Sequence, residues 1–177
     1  MRARTLTVLK EWFYGPYSRL GLAVALPTCV IDQAHKVWMI EVYDIATKAP
    51  VRVTAFLDLV YTLNKGISYG MLTQDTALGQ ALLAGFAAVA VAVMAHWLAR
   101  HTTSGIAAVG LGLVMGGAIG NAIDRFRLGG VADFFSVHAH GFYWYVFNIA
   151  DVAIVAGVVC LLYDWFWPSR NAAQKAG

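Results

Sequence analysis

The chain has 177 residues, 59% of them hydrophobic and only 13% charged, with a formal net charge of +3. An average soluble domain is about 25% charged, so this composition excludes a soluble globular protein and leaves one integral membrane domain over 1–177. The charge is too small and too dispersed for a nucleic-acid partner, and a mean hydropathy of +0.61 fits a bilayer environment.

In chain order, the first apolar segment covers 20–43 and contains Pro27, which predicts a kink, together with Asp32 and Lys36. It is too long and too charged for a cleaved signal peptide and lacks a small-residue cleavage site, so it is expected to stay as a span. An outer loop, 44–76, follows. Within it, 51–69 mixes Val51, Val53, Phe56, Leu59 and Val60 with Thr54, Thr62 and Ser68, which predicts a small sheet. Asn64-Lys65-Gly66 reads either as a turn or as part of a site.

The second and third spans cover 77–98 and 105–123, each about as long as the roughly 20 residues that a bilayer requires. Gly112, Gly116 and Gly120 repeat at every fourth position in the third, a spacing that serves close helix packing. A second outer loop, 124–143, carries Asp124, Arg125 and Asp133, and its stretch 134–142 reads as a flap-like loop or a short amphipathic segment that could cover a site. His138 and His140 lack a third ligand, so no metal is expected. The fourth span covers 144–167 and encloses Asp151. Cys29 and Cys160 read as small buried apolar residues. The fold class is therefore membrane, mainly α: four transmembrane helices with a small extracytoplasmic β-rich loop domain.

Orientation follows from the basic residues. Arg2, Arg4, Lys10 and Arg19 precede the first span, Arg100 lies between the second and third, and Arg170 and Lys175 follow the fourth. These regions share one side, which the positive-inside rule makes the cytoplasm, so both termini are cytoplasmic. Trp12, Phe13, Tyr14, Tyr17, Trp165 and Trp167 are placed in that interface.

Depth arithmetic then points to a site. At 1.5 Å per residue, Asp32 and Lys36 lie about 18 and 24 Å along the first span, and Asn121 about 24 Å along the third. The fourth span runs inward, so Asp151 lies about 10 Å below the outer surface by the same rise. Polar groups of three helices thus meet in one layer beside the loops carrying Asn64, Asp124, Arg125 and Asp133. Buried carboxylates in a membrane are costly and persist mainly where they do chemistry. Asp32 and Lys36, four residues apart, either pair on one helix face or contact substrate. A transporter or cofactor-binding subunit would instead stack polar groups through the full depth, and a metal-dependent hydrolase would need more ligands.

Five separated blocks carry a resemblance: Asp32-Gln33-Ala34-His35-Lys36; the run from Asn64 to Gly70; Gly116 through Arg125; Val131-Ala132-Asp133-Phe134; and Phe147-Asn148-Ile149-Ala150-Asp151. In this order they resemble the lipoprotein signal peptidases, the prokaryotic type II signal peptidases, which are aspartic peptidases at the membrane edge. The resemblance covers about 20–165. It implies Asp133 and Asp151 as the catalytic pair, and Asn64, Gly66, Asn121, Arg125, Asn148 and Ala150 as substrate-binding positions. Asp32, Lys36 and Asp124 become a supporting shell. It further implies prolipoprotein substrates cut before a diacylglyceryl-modified cysteine, no metal or cofactor, and globomycin-like inhibitors. The expected setting is the bacterial cytoplasmic membrane, with a monomer whose site faces the outer leaflet. Tyr69 and Ala132 depart from the family's usual Phe or Trp and Val, which affects pocket shape rather than the reaction.

Overall fold

A computed structural model describes residues 12, 14–66 and 74–167. The basic residues at 2–10 and 170–175, Phe13, Ser68 and Tyr69 lie outside the described residues. Helix α1 (Ser18–Val37) continues through Pro27 and passes into a π-helical turn, Trp38–Val42, and then a short helix α2 (Ile45–Lys48). Strands β1 (Val51–Arg52) and β2 (Leu57–Asn64) lead to the long helices α3 (Ala77–Arg100) and α4 (Gly105–Leu128). Strands β3 (Val131–Ala139) and β4 (Phe142–Tyr143) precede the last helix, α5 (Ile149–Phe166).

Helices α3, α4 and α5 each start at a side chain that accepts an otherwise orphaned backbone N–H. Thr76 caps α3 through Gly79 N, and Ser104 caps α4 through Ala107 N, both at 3.0 Å. The Ser104 hydroxyl also donates to Asp164, tying the start of α4 to the end of α5. Gly129, at φ +73°, ends α4 in the left-handed conformation that a glycine adopts most readily.

Helices α3, α4 and α5 are long and apolar enough to cross a membrane. Helix α1, expected as the first span, is not among them, because Arg19, Asp32 and Lys36 interrupt its apolar run. An apolar surface is exposed on α3, formed by Leu82, Phe86, Val89, Val93 and Trp97. Helix α4 is the central post and packs against α1, α3 and α5. Its glycines make that approach possible. A Cβ at Gly116 would stand 2.6 Å from the Ala25 carbonyl oxygen of α1, and one at Gly117 would stand 2.6 Å from the Ala150 carbonyl oxygen of α5. The glycine spacing read as a packing device is one.

The expected small sheet forms, as an antiparallel array in the order β1-β2-β3-β4. It rests on Met39, Ile45, Ala132 and Phe134, all buried, while the bundle has its own core of Ala25, Leu98, Ala108, Leu111 and Met115. Three boundaries differ from the expectation. The stretch 134–142 is not a flap: it pairs with β2 on one side and β4 on the other, because Phe134 is fully buried and anchors it. Helix α4 runs five residues beyond 123, so Asp124 and Arg125 sit on its last turns rather than in a loop. The last helix starts at Ile149, not at 144, because Asn148 caps it and 144–147 run beside β3 through the Phe135–Phe147 bridge.

Candidate active site

Asp133 stands on β3, opposite Thr62 of β2, and not in a loop. Asp151 is the third residue of α5, in its first turn, and not two turns inside a helix. Three backbone hydrogen bonds fold these elements together. Phe134 N and Phe135 N both donate to Phe147 O, at 3.0 and 2.9 Å, and Phe147 N returns a bond to Phe135 O. The strand carrying Asp133 is thereby fastened to the segment that opens the helix of Asp151.

Asn148 occupies the centre. Its Oδ1 accepts from Asp151 N at 3.0 Å, and Asp151 Oδ2 accepts from Asn148 N at 3.1 Å, a reciprocal capping box. A backbone N–H can only donate, so the amide end of Asn148 must face the other way. There Nδ2 donates to Asp133 Oδ1 at 2.6 Å. One side chain therefore touches both aspartates. Asn121 completes the link from α4, donating from Nδ2 to Asp151 Oδ1 at 3.1 Å. Asn64 donates to Asp133 Oδ2 at 3.3 Å and accepts from Gly66 N at 3.1 Å.

Behind the pair lies a buried charge cluster. Lys36 Nζ is 2.9 Å from Asp32 Oδ2 and 2.7 Å from Asp124 Oδ2. The other contacts of these acids have a common logic. Asp32 Oδ1 accepts from Ala150 N at 3.0 Å, and Asp124 Oδ2 accepts from Ala132 N at 3.2 Å. Each buried acid thus holds the backbone N–H just before one of the two aspartates, and Lys36 ties the two acids together. Of the two sequence readings for Asp32 and Lys36, pairing is what the structure has. Removing one member of such a cluster leaves a buried charge uncompensated, typically about 3–5 kcal/mol. Gln33 was quoted within a motif but given no role. Its Nε2 donates to Asp124 Oδ1 at 2.9 Å and to Gly120 O at 3.1 Å, and its place beside Asp32 was the available signal.

A cavity of about 380 Å³ opens on the pair. Asn64, Asn121, Arg125, Asp133 and Asp151 line its polar end, and Leu83, Phe86, Met94, Val114 and Ile154 line an apolar body between the long helices. A second recess, about 350 Å³, reaches Asp151 past Trp144, Phe147 and Val152. Arg125 is fixed at the rim by donating to Asn121 O at 3.1 Å and to Gly66 O at 3.0 Å. Three of the six residues expected at the substrate do not line this cavity. Gly66 is held by Asn64 and Arg125, Asn148 is fully buried and bonds both aspartates, and the fully buried Ala150 donates its N–H to Asp32. His138, also on β3, lies 3.1 Å from Asp58 and pins the far end of the sheet. Among the described residues no group of three or more His, Cys, Asp or Glu is placed to hold a metal.

Burial, and then the neighbouring Asp151 charge, push Asp133 up to about 7, against the pull of Asn148, Asn64 and Lys36. The ordinary value is 3.8. The folded state therefore holds a proton that the unfolded chain has lost, and this stability is complete below about pH 4 and gone once pH rises through about 7. Asp133→Asn removes the ionisation. Its thermal stability relative to the unsubstituted protein should rise between pH 5 and pH 8, by about 3 kcal/mol. Parallel thermal unfolding at the two pH values reads this directly, and a flat difference contradicts a buried, proton-holding Asp133.

Comparison with known proteins agrees with this architecture. The chain is 49% identical over 162 residues to a lipoprotein signal peptidase of Nitrobacter hamburgensis, covering 89% of this chain and 97% of that protein. It is 52% identical over 150 residues to one of Rhodopseudomonas palustris, with 82% and 91% covered. Two solved structures described as a bacterial membrane enzyme share the fold at a TM-score of 0.70. Their identities are 24% and 22%, with 85% and 89% of this chain and 90% and 99% of theirs covered. The profile of the signal peptidase (SPase) II family matches residues 24–167, a stretch that holds both aspartates, Asn148 between them and the whole Lys36 cluster. A match of that extent, with relatives near half identical over nearly their whole length, makes the chain a member of the signal peptidase II family.

Proposed function

We propose that this protein removes the signal peptide from diacylglyceryl-modified prolipoproteins, cutting before the lipidated cysteine, with Asp133 and Asp151 as an aspartic catalytic pair. The observation that carries the reading is Asn148, which bonds Asp133 Oδ1 and Asp151 N at once and so sets two carboxyls at the head of an apolar cavity. Two carboxyls sharing a site favour a state with one proton between them. The ionised member takes a proton from a water that attacks the scissile carbonyl, and the protonated one polarises the carbonyl oxygen and then protonates the leaving amine. The apolar body of the cavity suits a substrate that stays partly in lipid. Asn64 and Arg125 at the rim supply donors for substrate backbone, and this end is where globomycin-like inhibitors would bind.

In this reading α1 is a fourth span whose outer turns are polar because they serve the site. The protein is a monomer of the bacterial cytoplasmic membrane, with both termini cytoplasmic and the pair at the outer leaflet. Cysteine introduced at Thr47 should react with an impermeant label from outside, and cysteine at Thr102 only after the membrane is opened. The reverse pattern would put the site in the wrong compartment. Purified protein should release signal peptide from the diacylglyceryl-modified precursor, and EDTA should leave the rate unchanged. Loss with EDTA that zinc restores would sink the aspartic reading.

A further inference from the structure

We infer that Lys36 is a positioning residue that orders the proton within the pair, acting through Asn121 so that Asp151 is the carboxylate and Asp133 the acid. The inference rests on the peptidase reading above and says which carboxyl plays which part.

The hydrogen bonds leave little freedom. Lys36 has three N–H donors and three acceptors: Asp32 Oδ2, Asp124 Oδ2, and Asn121 Oδ1 at 3.0 Å. An ammonium cannot accept, so the carbonyl end of Asn121 must face Lys36. Asn148 Nδ2, at 3.2 Å, points at the same oxygen. The amide end of Asn121 is left with Asp151 Oδ1. With Asn148 N on Oδ2, both oxygens of Asp151 accept from N–H groups, at 3.1 Å each. Asp151 also stands in the first turn of α5, where the helix dipole favours a negative charge. Asp133 accepts from Asn148 Nδ2 at 2.6 Å through Oδ1 but has no helix N-terminus behind it. It lies on a strand, 2% exposed, and its Oδ2 has only the long bond from Asn64 at 3.3 Å, which leaves that oxygen as the place for the proton.

Among the described residues, the charged groups that face the pair are Asp32 and Lys36 from α1 and Asp124 and Arg125 from α4. Helix α3 faces it only with apolar residues such as Leu83 and Phe86. The segment before α5 adds Tyr145. Of the cations, Arg125 donates to the carbonyls of Asn121 and Gly66 with two of its N–H groups, whereas Lys36 reaches Asp151 through one amide.

The test is the pH dependence of turnover for the unsubstituted protein, Asn121→Leu and Lys36→Met. The base must be ionised, so activity rises with pH through its titration, and the acid must be protonated, so activity falls through its own. Asn121→Leu leaves the Asp32–Lys36–Asp124 ion pairs in place and removes the donor to Asp151 together with the oxygen that accepts from Lys36 and Asn148. Its acidic limb should move up by about one pH unit while the basic limb stays, with turnover down about tenfold and KM within about threefold. Lys36→Met should move the acidic limb the same way. If Lys36→Met does not fold, Asn121→Leu decides alone. Lower activity with an unmoved profile would make both residues merely structural, and movement of the basic limb alone would reverse the assignment of acid and base. An infrared titration of the carboxylic-acid C=O stretch gives the same answer without activity. Near pH 6 the band should be present in the unsubstituted protein and missing in Asp133→Asn. Persistence of the band in Asp133→Asn overturns the proton order, whereas absence of cleavage by the unsubstituted protein with the band as expected would count against the peptidase reading alone.

Discussion

Asp133→Asn and Asp151→Asn should each reduce prolipoprotein cleavage by about 10³-fold or more, the scale lost when a group acting as general acid or base is removed. Asn keeps the shape of the carboxyl, and its one amide oxygen can still accept from Asn148 in either variant, so the capping box, β3 and the fastening of Phe147 to Phe135 should persist at the cost of the second bond, from Asn64 at position 133 or from Asn121 at position 151. Neither variant therefore has a reason to misfold, and the buried Asp133→Asn should be more stable at pH 8. Asp124→Asn is the informative contrast. Its Oδ2 braces Ala132 N and Lys36, so the exchange should lower both stability and turnover yet leave measurable cleavage. Initial rates of signal-peptide release, with folding checked in detergent by thermal unfolding, separate the three. Near-normal turnover by Asp133→Asn beside none by Asp124→Asn would mean that the wrong carboxyl has been paired with Asp151.

The largest structural effects should come from the glycines of α4. In Gly116→Ala the new Cβ meets the Ala25 carbonyl and Thr28 Cβ, at 2.6 and 2.7 Å, and backbone cannot step aside. Overpacking of this kind costs about 1–3 kcal/mol, and at a seam set by two helix backbones the upper end applies. In Gly120→Ala the Cβ collides with Asp32 Oδ2, which is no free end, since Lys36, Gln33 and Ala150 N hold that carboxylate. Both should lower the unfolding temperature, but Gly120→Ala should lose more turnover for the same loss of stability, because it moves the support of α5 beneath Asp151. Gly85→Ala in α3 is the control. Nothing lies within 4 Å of its Cβ, so it should be neutral or stabilising by up to about 1 kcal/mol. Equal losses of stability and turnover in all three would show that the α1–α4 seam has no privileged link to the site.

Much of this was legible in the chain, for reasons that differ by element. The apolar runs of α3, α4 and α5 announce themselves because a bilayer demands length and hydrophobicity together. The polar layer was legible too: helical rise alone put Asp32, Lys36, Asn121 and Asp151 at similar depth, and the structure joins all four in one bonded network. What misled was treating apolar residues as helix. The aromatic run 144–147 looks like the start of a span, yet it forms an extended strap along β3, and only the capping role of Asn148 reveals where the helix begins. Asp133 falls within the outer loop expected over 124–143, but α4 continues to Leu128, Gly129 ends it and the strand starts two residues later. The sequence-based reading also overlooked the buried backbone. Motif positions such as Asn148 and Ala150 suggest substrate contact, whereas their hydrogen bonds fall within the protein, a partition that periodicity cannot display.

The most direct test of the central claim is the turnover of the double variant Asp133→Asn/Asp151→Asn beside its two parents. Groups that act as one unit in a single proton-transfer step are grossly non-additive, since the first loss already removes the step. The account predicts a double variant within about threefold of either single variant, at the same residual rate. Multiplying losses, with the double variant far below both singles, would mean two independent contributions and would contradict a shared catalytic pair at the junction of β3 and α5.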